Sequence, residues 1–438
     1  MKVHGWGRYP VVEANLVEAK DLATLRNMIV DNTSTTPLIA RGMGRSYGDS
    51  ALADNIASSR FLDNFISFDA STGLLVCAAG VSLEQILNVA VPQGWFLPVV
   101  PGTKFVSAGG AIASDVHGKN HHVDGCFSEF VAEFSVMLAS GEQVTCSRQE
   151  NTELFHATCG GQGLTGIITT AALRLRKITS SFINETTQEA RNLDEIFSLF
   201  EQAQDSTYSV AWLDCMAKGS NLGRSLLFLG EHATSGRLEL SSERHLSVPF
   251  SAPSFLLNKY TIGAFNEFYQ GVKKRQKKSR TVHFDEFFFP LDKIHNWNRL
   301  YGHRGFIQYQ FVLPLATARE GISQVLNILL EKGKGSFLTV LKKFGKANNN
   351  FLSFPTEGYT LTLDFKFEPM LLNILDRLDQ IVVSLGGRIY LAKDARMSEH
   401  IFKTSYPSWE KLQKVKQQVD PHNRFSSAQS RRLGIVKN

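Results

Sequence analysis

The chain has 438 residues, of which 43% are hydrophobic and 20% charged, a composition typical of globular proteins and unlike that of disordered chains. This length exceeds what one ordinary core supports, so we expect two domains. The formal net charge of +6 is small for the length and gives no support for nucleic acid as a partner.

The first 178 residues predict short elements separated by glycine-rich loops. Apolar spacing predicts a helix over Asp21–Asp31, and Ser82 is placed to cap a second helix that ends near Val91. Ser140 and Gly141 have the turn chemistry of a hairpin. A further short helix is expected at Glu153–Thr158. Strands or extended segments are expected at Pro37–Ala40, Leu74–Ala79, Trp95–Val100, Phe134–Leu138, Gln143–Cys146 and Ile167–Arg176.

Three glycine-rich loops accompany these elements: Ala40–Asp49, Pro101–His122 and Gly160–Gly166. Glycine has no Cβ, so its peptide N–H can approach an anion closely. The chain contains neither GxGxxG after a strand nor GxxxxGK[ST], which leaves a Rossmann site and a P-loop unsupported. Three such loops in one domain therefore predict a flavin adenine dinucleotide wrapped by loops.

A second, aromatic-rich region begins near Ser180, where the glycine-rich loops end. Its alternation of strands and helices predicts an α+β domain. The polar, arginine-rich tail from Ala392 is expected to fold back on the first domain. Strands are expected at Val210–Leu213, Leu226–Leu229, Phe306–Pro314, Ser336–Lys343 and Tyr359–Phe367, and helices at Leu193–Ala203, Thr317–Lys332 and Met370–Leu385.

The segment Lys273–Arg280 carries six positive charges in eight residues. It is either a solvated loop or a contact for an anionic partner, such as a phosphate-bearing substrate or a membrane surface.

Cysteine usage and hydropathy indicate in which cellular compartment the protein is expected. The five cysteines are scattered without a CxxC pair, which argues for reduced thiols. The N-terminus lacks the apolar core of a secretory signal, and no stretch approaches about 18 consecutive apolar residues. We therefore expect a protein without a transmembrane segment, cytoplasmic or peripheral on the inner membrane.

The motifs ARGMGRSYGD, PGTKFVSAGGAIASDVHGKNHH, GGQGLTGI and YLAKDAR together resemble those of the vanillyl-alcohol-oxidase-type FAD-linked oxidoreductases, which have a PCMH-type FAD-binding domain. Within this family the sequence is most similar to the oxidase subunits of the decaprenylphosphoryl-β-D-ribose 2′-epimerases. The similarity runs from Gly5 to Leu433 and includes FIQYQFVLP and LSFP.

The resemblance implies an α+β fold with three parts. Residues 1–178 would form an FAD-binding domain of two subdomains, and residues 179–390 a substrate-binding domain with an antiparallel sheet and flanking helices. Residues 391–438 would form a C-terminal segment that returns to the FAD domain.

The resemblance also implies how FAD is held. Arg45 stands where many relatives carry the histidine that bonds the flavin, so we expect noncovalent FAD. The implied cofactor residues are Arg41, Gly42, Gly44, Arg45, Ser46, Tyr47, Gly102, Thr103, Ser107, Gly109 and Gly110 on the pyrophosphate side, Ala113, Ser114, His117, Gly118 and Asn120 along the flavin and ribityl, Gly166 and Ile168 at the adenine end, and Tyr390.

Lys393 in YLAKDAR is the first catalytic candidate. A fixed cation beside the flavin would stabilise the negative charge that develops there in the transition state. The alternative is a surface salt bridge with Asp394. Tyr47 is a candidate for positioning the substrate or relaying its proton, and Asp364 alternates with leucines along a strand, so it faces either the pocket or solvent.

Substrate contacts are expected from Gln308, Gln310, Lys342, Thr362 and Lys393. The two glutamines lie on one strand face and could hydrogen-bond sugar hydroxyls, or could be part of a plain sheet surface. By the resemblance, Lys342 contacts a phosphate or a hydroxyl. Thr362 aligns with the family's pocket cysteine, so thiol-directed inhibitors should fail here.

His117, His121 and His122 lie within six residues and raise the question of a metal. They lie in a glycine-flanked loop. We therefore expect no metal site.

The function implied is FAD-dependent oxidation of a sugar secondary alcohol, namely C2′ of polyprenylphosphoryl-β-D-ribose, as the first half of epimerisation to an arabinose used as a cell-wall arabinan precursor. A separate NAD(P)H-dependent keto-reductase would complete the epimerisation. The alternatives are a soluble alditol or aldonolactone oxidase and, from another class, a non-enzymatic basic binding protein that would leave the glycine loops unexplained.

Overall fold

The computed structural model describes residues 1–30, 36–241, 246–253, 257–336 and 338–436, without the side chains of residues 259, 274 and 275. Asp31 and Phe337, which fall within two of the predicted elements, lie outside the described residues.

The first 178 residues contain a three-stranded parallel sheet and a five-stranded antiparallel sheet. Their strands are β1 (Lys2–His4), β2 (Val11–Glu13), β3 (Asn15–Glu18), β4 (Leu38–Arg41), β5 (Asn55–Ser58), β6 (Phe65–Asp69), β7 (Leu74–Ala78), β8 (Trp95–Phe96), β9 (Val131–Met137), β10 (Gln143–Ser147), β11 (Ile167–Arg174) and β12 (Arg176–Lys177). Their helices are α1 (Leu22–Val30), α2 (Leu83–Ala90), α3 (Ala108–Ala113), α4 (His121–Asp124) and α5 (Thr152–Thr158). The parallel sheet has the order β3-β5-β4, and the antiparallel sheet has the order β10-β9-β11-β7-β6.

Local chemistry explains why two predictions from the sequence are confirmed here. Ser82 and Gln85 form a reciprocal capping box at the start of α2, in which Ser82 Oγ accepts from Gln85 N at 3.1 Å. Gly141 takes a φ of +80° between β9 and β10, a conformation that glycine adopts without steric cost. The predicted hairpin therefore forms in the predicted place.

One eight-stranded antiparallel sheet organises the second region, in the order β17-β13-β15-β14-β20-β21-β19-β22. The strands of this region are β13 (Phe182–Ala190), β14 (Tyr208–Leu213), β15 (Ser225–His232), β16 (Leu246–Ser247), β17 (Ser279–His283), β18 (Ile294–His295), β19 (Phe306–Pro314), β20 (Val340–Phe344), β21 (Gly358–Lys366) and β22 (Arg388–Ile389). The helices are α6 (Leu193–Gln202), α7 (Lys259–Arg275), α8 (Phe284–Phe288), α9 (Leu315–Glu331) and α10 (Pro369–Ser384). This architecture confirms the predicted α+β class with an antiparallel sheet.

The pairing of β19 with β21 places four polar side chains together on one face of the sheet. Gln308 lies opposite Asp364 and Gln310 opposite Thr362 in the register. Because side chains alternate along a strand, these four polar groups share one face of the sheet. The neighbouring apolar residues, such as Phe311 and Leu361, lie on the other face with α9 and α10. One side of the sheet is thus core and the other is polar.

The tail forms α11 (Glu399–Ser405), α12 (Trp409–Val419) and α13 (Ala428–Arg432) and contacts the N-terminal region. Leu38 N donates to Arg424 O at 3.0 Å, and Arg432 forms an ion pair with Asp49 at 2.7 Å. The domain boundaries proposed from the sequence stay a prediction.

Two expectations need correction. The predicted strand Ser336–Lys343 begins only at Val340. The basic run is not simply a loop, because Lys273 lies in the last turn of α7 and Arg280 lies in β17. The side chains of Lys274 and Arg275 in that run are outside the described residues. Helix α7 has no counterpart among the elements predicted from the sequence.

Candidate active site

A cavity of about 660 Å³ lies between the glycine loops and the polar face of the large sheet. Its volume is within the range of about 300–1,000 Å³ that is common for ligand and cofactor sites. All three glycine-rich loops contribute to its wall, through Gly42, Gly110 and Gly163 among others. The loops predicted from the sequence are therefore brought together around one space.

The first loop is fixed to the chain on both sides. Trp6 N donates to Ser46 O at 2.8 Å, and Tyr47 N donates to Ala392 O at 3.0 Å. The guanidinium of Arg45 lies over the Trp6 ring, 4.2 Å from its centroid, and 5.2 Å from that of Phe105. Burial lowers the pKa of Arg45, opposed by the charge of Asp292. The result is a desolvated cation at the cavity wall.

The second loop presents backbone to the cavity. Gly109 N donates to Ala79 O at 2.9 Å, which ties the loop to the end of β7. A Cβ on Gly110 would meet only the Ser107 hydroxyl, 3.0 Å away, and a Cβ on Gly102 would meet nothing within 4 Å. The missing Cβ atoms thus leave room along a wall that a cofactor can occupy, and in this respect the residues present fit FAD.

The third loop is hydrogen-bonded to the second. Gly160 N donates to Ile112 O at 3.0 Å, and Gln162 N donates to Ala113 O at 2.9 Å. Because both acceptors belong to α3, the two loops form one continuous wall.

Lys393 and Tyr47 are in contact in the cavity wall, where the Lys393 Nζ lies 3.7 Å from the centroid of the Tyr47 ring. Burial lowers the pKa of Lys393 to about 7, partly offset by the charge of Asp364. Burial also raises the pKa of Tyr47 far above its usual value, so the phenol is protonated at neutral pH.

Asp364 is buried and held by two donors. Gln308 Nε2 donates to its Oδ1 at 2.6 Å, and Tyr301 OH donates to its Oδ2 at 3.2 Å. Burial raises the pKa of Asp364 to about 7, against the opposing effects of these donors and of Lys393. The sequence left open whether Asp364 faces solvent; at 2% exposure it lines the cavity instead.

His117 is fixed by two groups on the sheet. Gln310 Nε2 lies 3.1 Å from its Nε2, and Lys342 Nζ lies 3.3 Å from its Nδ1. Burial, with Lys342 nearby, lowers the pKa of His117 well below its usual value. The imidazole is therefore neutral, while burial lowers the pKa of Lys342 to about 8.

Lys119 lines the same cavity and was missed by the sequence reasoning. Its Nζ donates to the Phe287 carbonyl and lies 4.3 Å from the centroid of the Phe287 ring. Burial, with a smaller contribution from the charge of Lys342, lowers the pKa of Lys119 to about 7. The signal was available, because Lys119 is the one cation inside the HGKNHH cluster.

Two predicted cofactor residues do not line the cavity. The Arg41 side chain turns away, and its Nη2 donates to His4 O at 2.8 Å. Asn120 is fully buried behind the loop, where its Nδ2 donates to Pro98 O at 2.7 Å. Both side chains donate to backbone carbonyls next to the loops. The other predicted cofactor, catalytic and substrate residues all line the cavity.

The three histidines do not converge. His117 faces the cavity, His121 Nδ1 accepts from Gly345 N at 3.2 Å, and His122 Nε2 lies 2.8 Å from Ser206 O. Within the described ranges, no group of three or more His, Cys, Asp or Glu side chains is arranged to hold a metal ion. In the same ranges, no helix is both long and apolar enough to cross a membrane.

Two family models match the chain. A model described as FAD binding domain matches residues 14–147, and one described as D-arabinono-1,4-lactone oxidase matches residues 306–433. The first covers two of the three glycine loops, and the second covers β19, β21 and the segment of Lys393.

The chain is also similar to individual proteins, to one over nearly its whole length and to others over a part of it. The chain is 34% identical to the decaprenylphosphoryl-β-D-ribose oxidase of Mycolicibacterium smegmatis over 99% of this chain and 98% of that protein. It is 37% identical to a putative D-arabinono-1,4-lactone oxidase of Neurospora crassa, over 25% of this chain and 20% of that protein. A D-lactate dehydrogenase of Archaeoglobus fulgidus is 27% identical over 33% of this chain and 34% of that protein.

Proposed function

The chain belongs to the FAD-linked oxidoreductases of the vanillyl-alcohol-oxidase type, in the family that contains decaprenylphosphoryl-β-D-ribose oxidase, and we propose that it oxidises C2′ of a polyprenylphosphoryl-β-D-ribose to the 2-keto sugar. The single observation that carries this proposal is the placement of Lys119 and Lys342 in the wall of the cavity that the FAD loops also line.

These two lysines suit a phosphodiester. Both are desolvated, and the charge of Lys342 lowers the pKa of Lys119. Two buried cations that repel each other are stabilised when an anion lies between them. A ribose joined to a lipid through phosphate brings this negative charge, whereas a free sugar does not.

When bound, FAD supplies the acceptor for the hydride that leaves the alcohol carbon. The residues of the chain orient the sugar and accept the hydroxyl proton. Gln308 and Gln310 orient the sugar from the polar face of the sheet. The hydroxyl proton leaves towards Asp364, whose raised pKa matches proton acceptance near neutral pH. Tyr47 positions the hydroxyl, and Lys393 would keep a positive charge beside the flavin, where negative charge develops as hydride is transferred.

We expect FAD to be held without a covalent link. Arg45 cannot form the bond that histidine forms in many relatives, and Arg45 is already held by the Trp6 and Phe105 rings. Gly42, Gly110 and Gly163 would line the dinucleotide, and His117 and Tyr390 would lie beside it.

A second candidate is the oxidation of a free aldonolactone or alditol. It is favoured by the match of residues 306–433 to the D-arabinono-1,4-lactone oxidase model. Such a substrate carries no phosphate, so it would leave Lys119 and Lys342 without an anion.

Two partners follow from the proposed reaction. A 2-keto sugar is an intermediate between epimers, so a separate NAD(P)H-dependent reductase would complete the epimerisation. The lipid chain of the substrate calls for contact with a membrane, and the basic run Lys273–Arg280 would meet anionic headgroups there. The protein would then work as a peripheral protein of the inner membrane.

The test is an anaerobic titration of the purified holoprotein, followed by the flavin absorbance near 450 nm. Polyprenylphosphoryl-β-D-ribose in detergent should bleach the flavin and yield a 2-keto product by mass spectrometry. Free ribose, alditols and arabinono-1,4-lactone at equal concentration are the matched comparison. Bleaching by the free lactone and not by the lipid phosphate would overturn the proposal in favour of the second candidate.

A further inference from the structure

Helix α7 partly inverts the usual pattern of a surface helix, because it buries two polar residues beside Ile262 and exposes aromatic ones. Asn266 and Gln270 lie on its buried side, and Asn266 Nδ2 donates to Asp214 Oδ1 at 2.6 Å. The exposed side carries Phe268, 69% exposed, and Tyr260, 76% exposed. A globular protein normally turns polar residues outward, so the inversion needs a reason.

The exposed residues form one continuous face. Tyr260, Ala264, Phe268 and Val272 follow each other at intervals of four residues, which places them in one row along the helix. We call this row, with the adjacent Phe265, the α7 face. Large exposed apolar surfaces of this kind mark sites of protein or membrane contact.

Two other exposed apolar residues precede the helix in the chain. Leu246 is 71% exposed and Phe250 is 72% exposed. Exposed aromatic side chains such as those of the α7 face are typical of proteins that insert shallowly at a membrane interface.

Charge favours an anionic bilayer as the occupant. Lys273 lies in the last turn of α7, and the exposed Lys277 and Lys278 follow it. The acidic Glu267 on the helix is paired with Arg224. Basic side chains beside an apolar face are the pattern of interfacial helices that bind anionic lipid.

The α7 face also adjoins the cavity. Phe265, Tyr269 and Lys273 all belong to α7 and line the cavity wall, together with Trp212 and Phe228 from the sheet. Apolar side chains thus lead from the sugar end of the cavity to the helix. This argument alone rests on the proposed function, because only a lipid-linked substrate needs an apolar path.

We propose that the α7 face is the membrane-docking surface of this protein, with Tyr260, Phe268 and Val272 in the headgroup layer of an anionic bilayer and Lys277 and Lys278 on its phosphates. Docking there brings the apolar end of the cavity against the membrane. A substrate then delivers its sugar phosphate to the cavity while its lipid chain stays in the bilayer.

The test measures binding of the holoprotein to substrate-free vesicles by co-sedimentation. Wild-type protein should bind phosphatidylglycerol/phosphatidylcholine vesicles at least about tenfold more tightly than pure phosphatidylcholine vesicles, and less tightly as salt rises. Phe268→Glu should weaken this binding at least about tenfold. Met370→Glu, at a residue equally exposed on α10, is the matched control and should bind as the wild type does.

Flavin bleaching by detergent-solubilised substrate is the second readout. Phe268 does not line the cavity, so Phe268→Glu should bleach at the wild-type rate. Wild-type protein that fails to bind anionic vesicles, or Phe268→Glu that binds like Met370→Glu, overturns the docking surface. Because the vesicles contain no substrate, that result leaves the proposed reaction standing, and failure to bleach leaves the docking surface standing.

Discussion

The ammonium of Lys393 lies over the ring of Tyr47, 3.7 Å from its centroid, although 346 positions separate the two residues in the chain. The backbone secures this contact, because Tyr47 N donates to Ala392 O at 3.0 Å, one residue before the lysine. The first glycine loop and the YLAKDAR segment therefore form a single unit. A change to either residue therefore affects a pair that lines the cavity.

Lys393→Met should separate cofactor binding from chemistry. The loops that would hold FAD do not depend on the ammonium, so the variant should purify yellow with a normal FAD content. Flavin reduction by substrate should slow by about 10²–10³-fold, the usual cost of removing one preorganised electrostatic group. Lys393→Arg, which keeps the charge, is the control and should lose less. A rate for Lys393→Met within threefold of wild type would contradict the role of this residue.

The pH dependence of flavin reduction should be bell-shaped with a maximum near pH 7. Asp364 must lose its proton and Lys393 must keep its own, and both groups have a pKa of about 7. Asp364→Asn should remove the rising limb. It also removes a negative charge that raises the pKa of Lys393, so the falling limb should move to lower pH. Stopped-flow absorbance across pH 5–9 measures both changes, and an unmoved falling limb would count against the coupling.

Lys119→Met should weaken the binding of phosphate-bearing substrate and leave the fold intact. Loss of one charged contact costs about 1.5–3 kcal/mol, equal to a KM about 10–150-fold higher. Melting temperature should not fall, because methionine replaces a desolvated charge. Lys343→Met is the control, since Lys343 forms an ion pair with Glu201 at 2.6 Å and does not line the cavity. Equal KM values for the two variants would exclude Lys119 from phosphate binding.

Thr362→Cys should make the protein sensitive to thiol-directed inhibitors. Thr362 lines the cavity, whereas the five native cysteines are all buried, and burial raises the pKa of Cys77 to about 12 and that of Cys215 to about 11. Wild-type protein should keep its activity during incubation with a pocket-sized electrophile, and the variant should lose it with time. Mass spectrometry locates the adduct. Time-dependent inactivation of the wild type, or a variant as resistant as the wild type, would contradict this role of Thr362.

The sequence could predict the face of the sheet but not the partners across it. Alternation along FIQYQFVLP places Gln308 and Gln310 on one side. Only the register with β21 shows that Asp364 lies opposite Gln308 and is buried. A strand pattern carries its own periodicity and no information about which strand pairs with it.

Three other outcomes show where pattern reasoning ends. Arg41 belongs to the loop motif, but its side chain donates to the backbone carbonyl of His4 and does not line the cavity. Lys119 is held in the cavity wall by the carbonyl of Phe287, which lies 168 residues away in the chain. Helix α7 has no ordinary amphipathic signal, because it buries Asn266 and exposes Phe268. Each outcome depends on a contact that local spacing does not encode.

The most direct test of the central claim is the FAD content of Gly110→Val. The claim is that the glycine loops leave one continuous space for this cofactor, and the new side chain at Gly110 would meet only the Ser107 hydroxyl before it enters that space. Gly263→Val on α7 is the control for a valine in a helix outside the cavity, because a Cβ there meets nothing within 4 Å. We expect Gly110→Val to be folded by circular dichroism but colourless, with Gly263→Val yellow. A folded Gly110→Val with one FAD per chain would contradict the account.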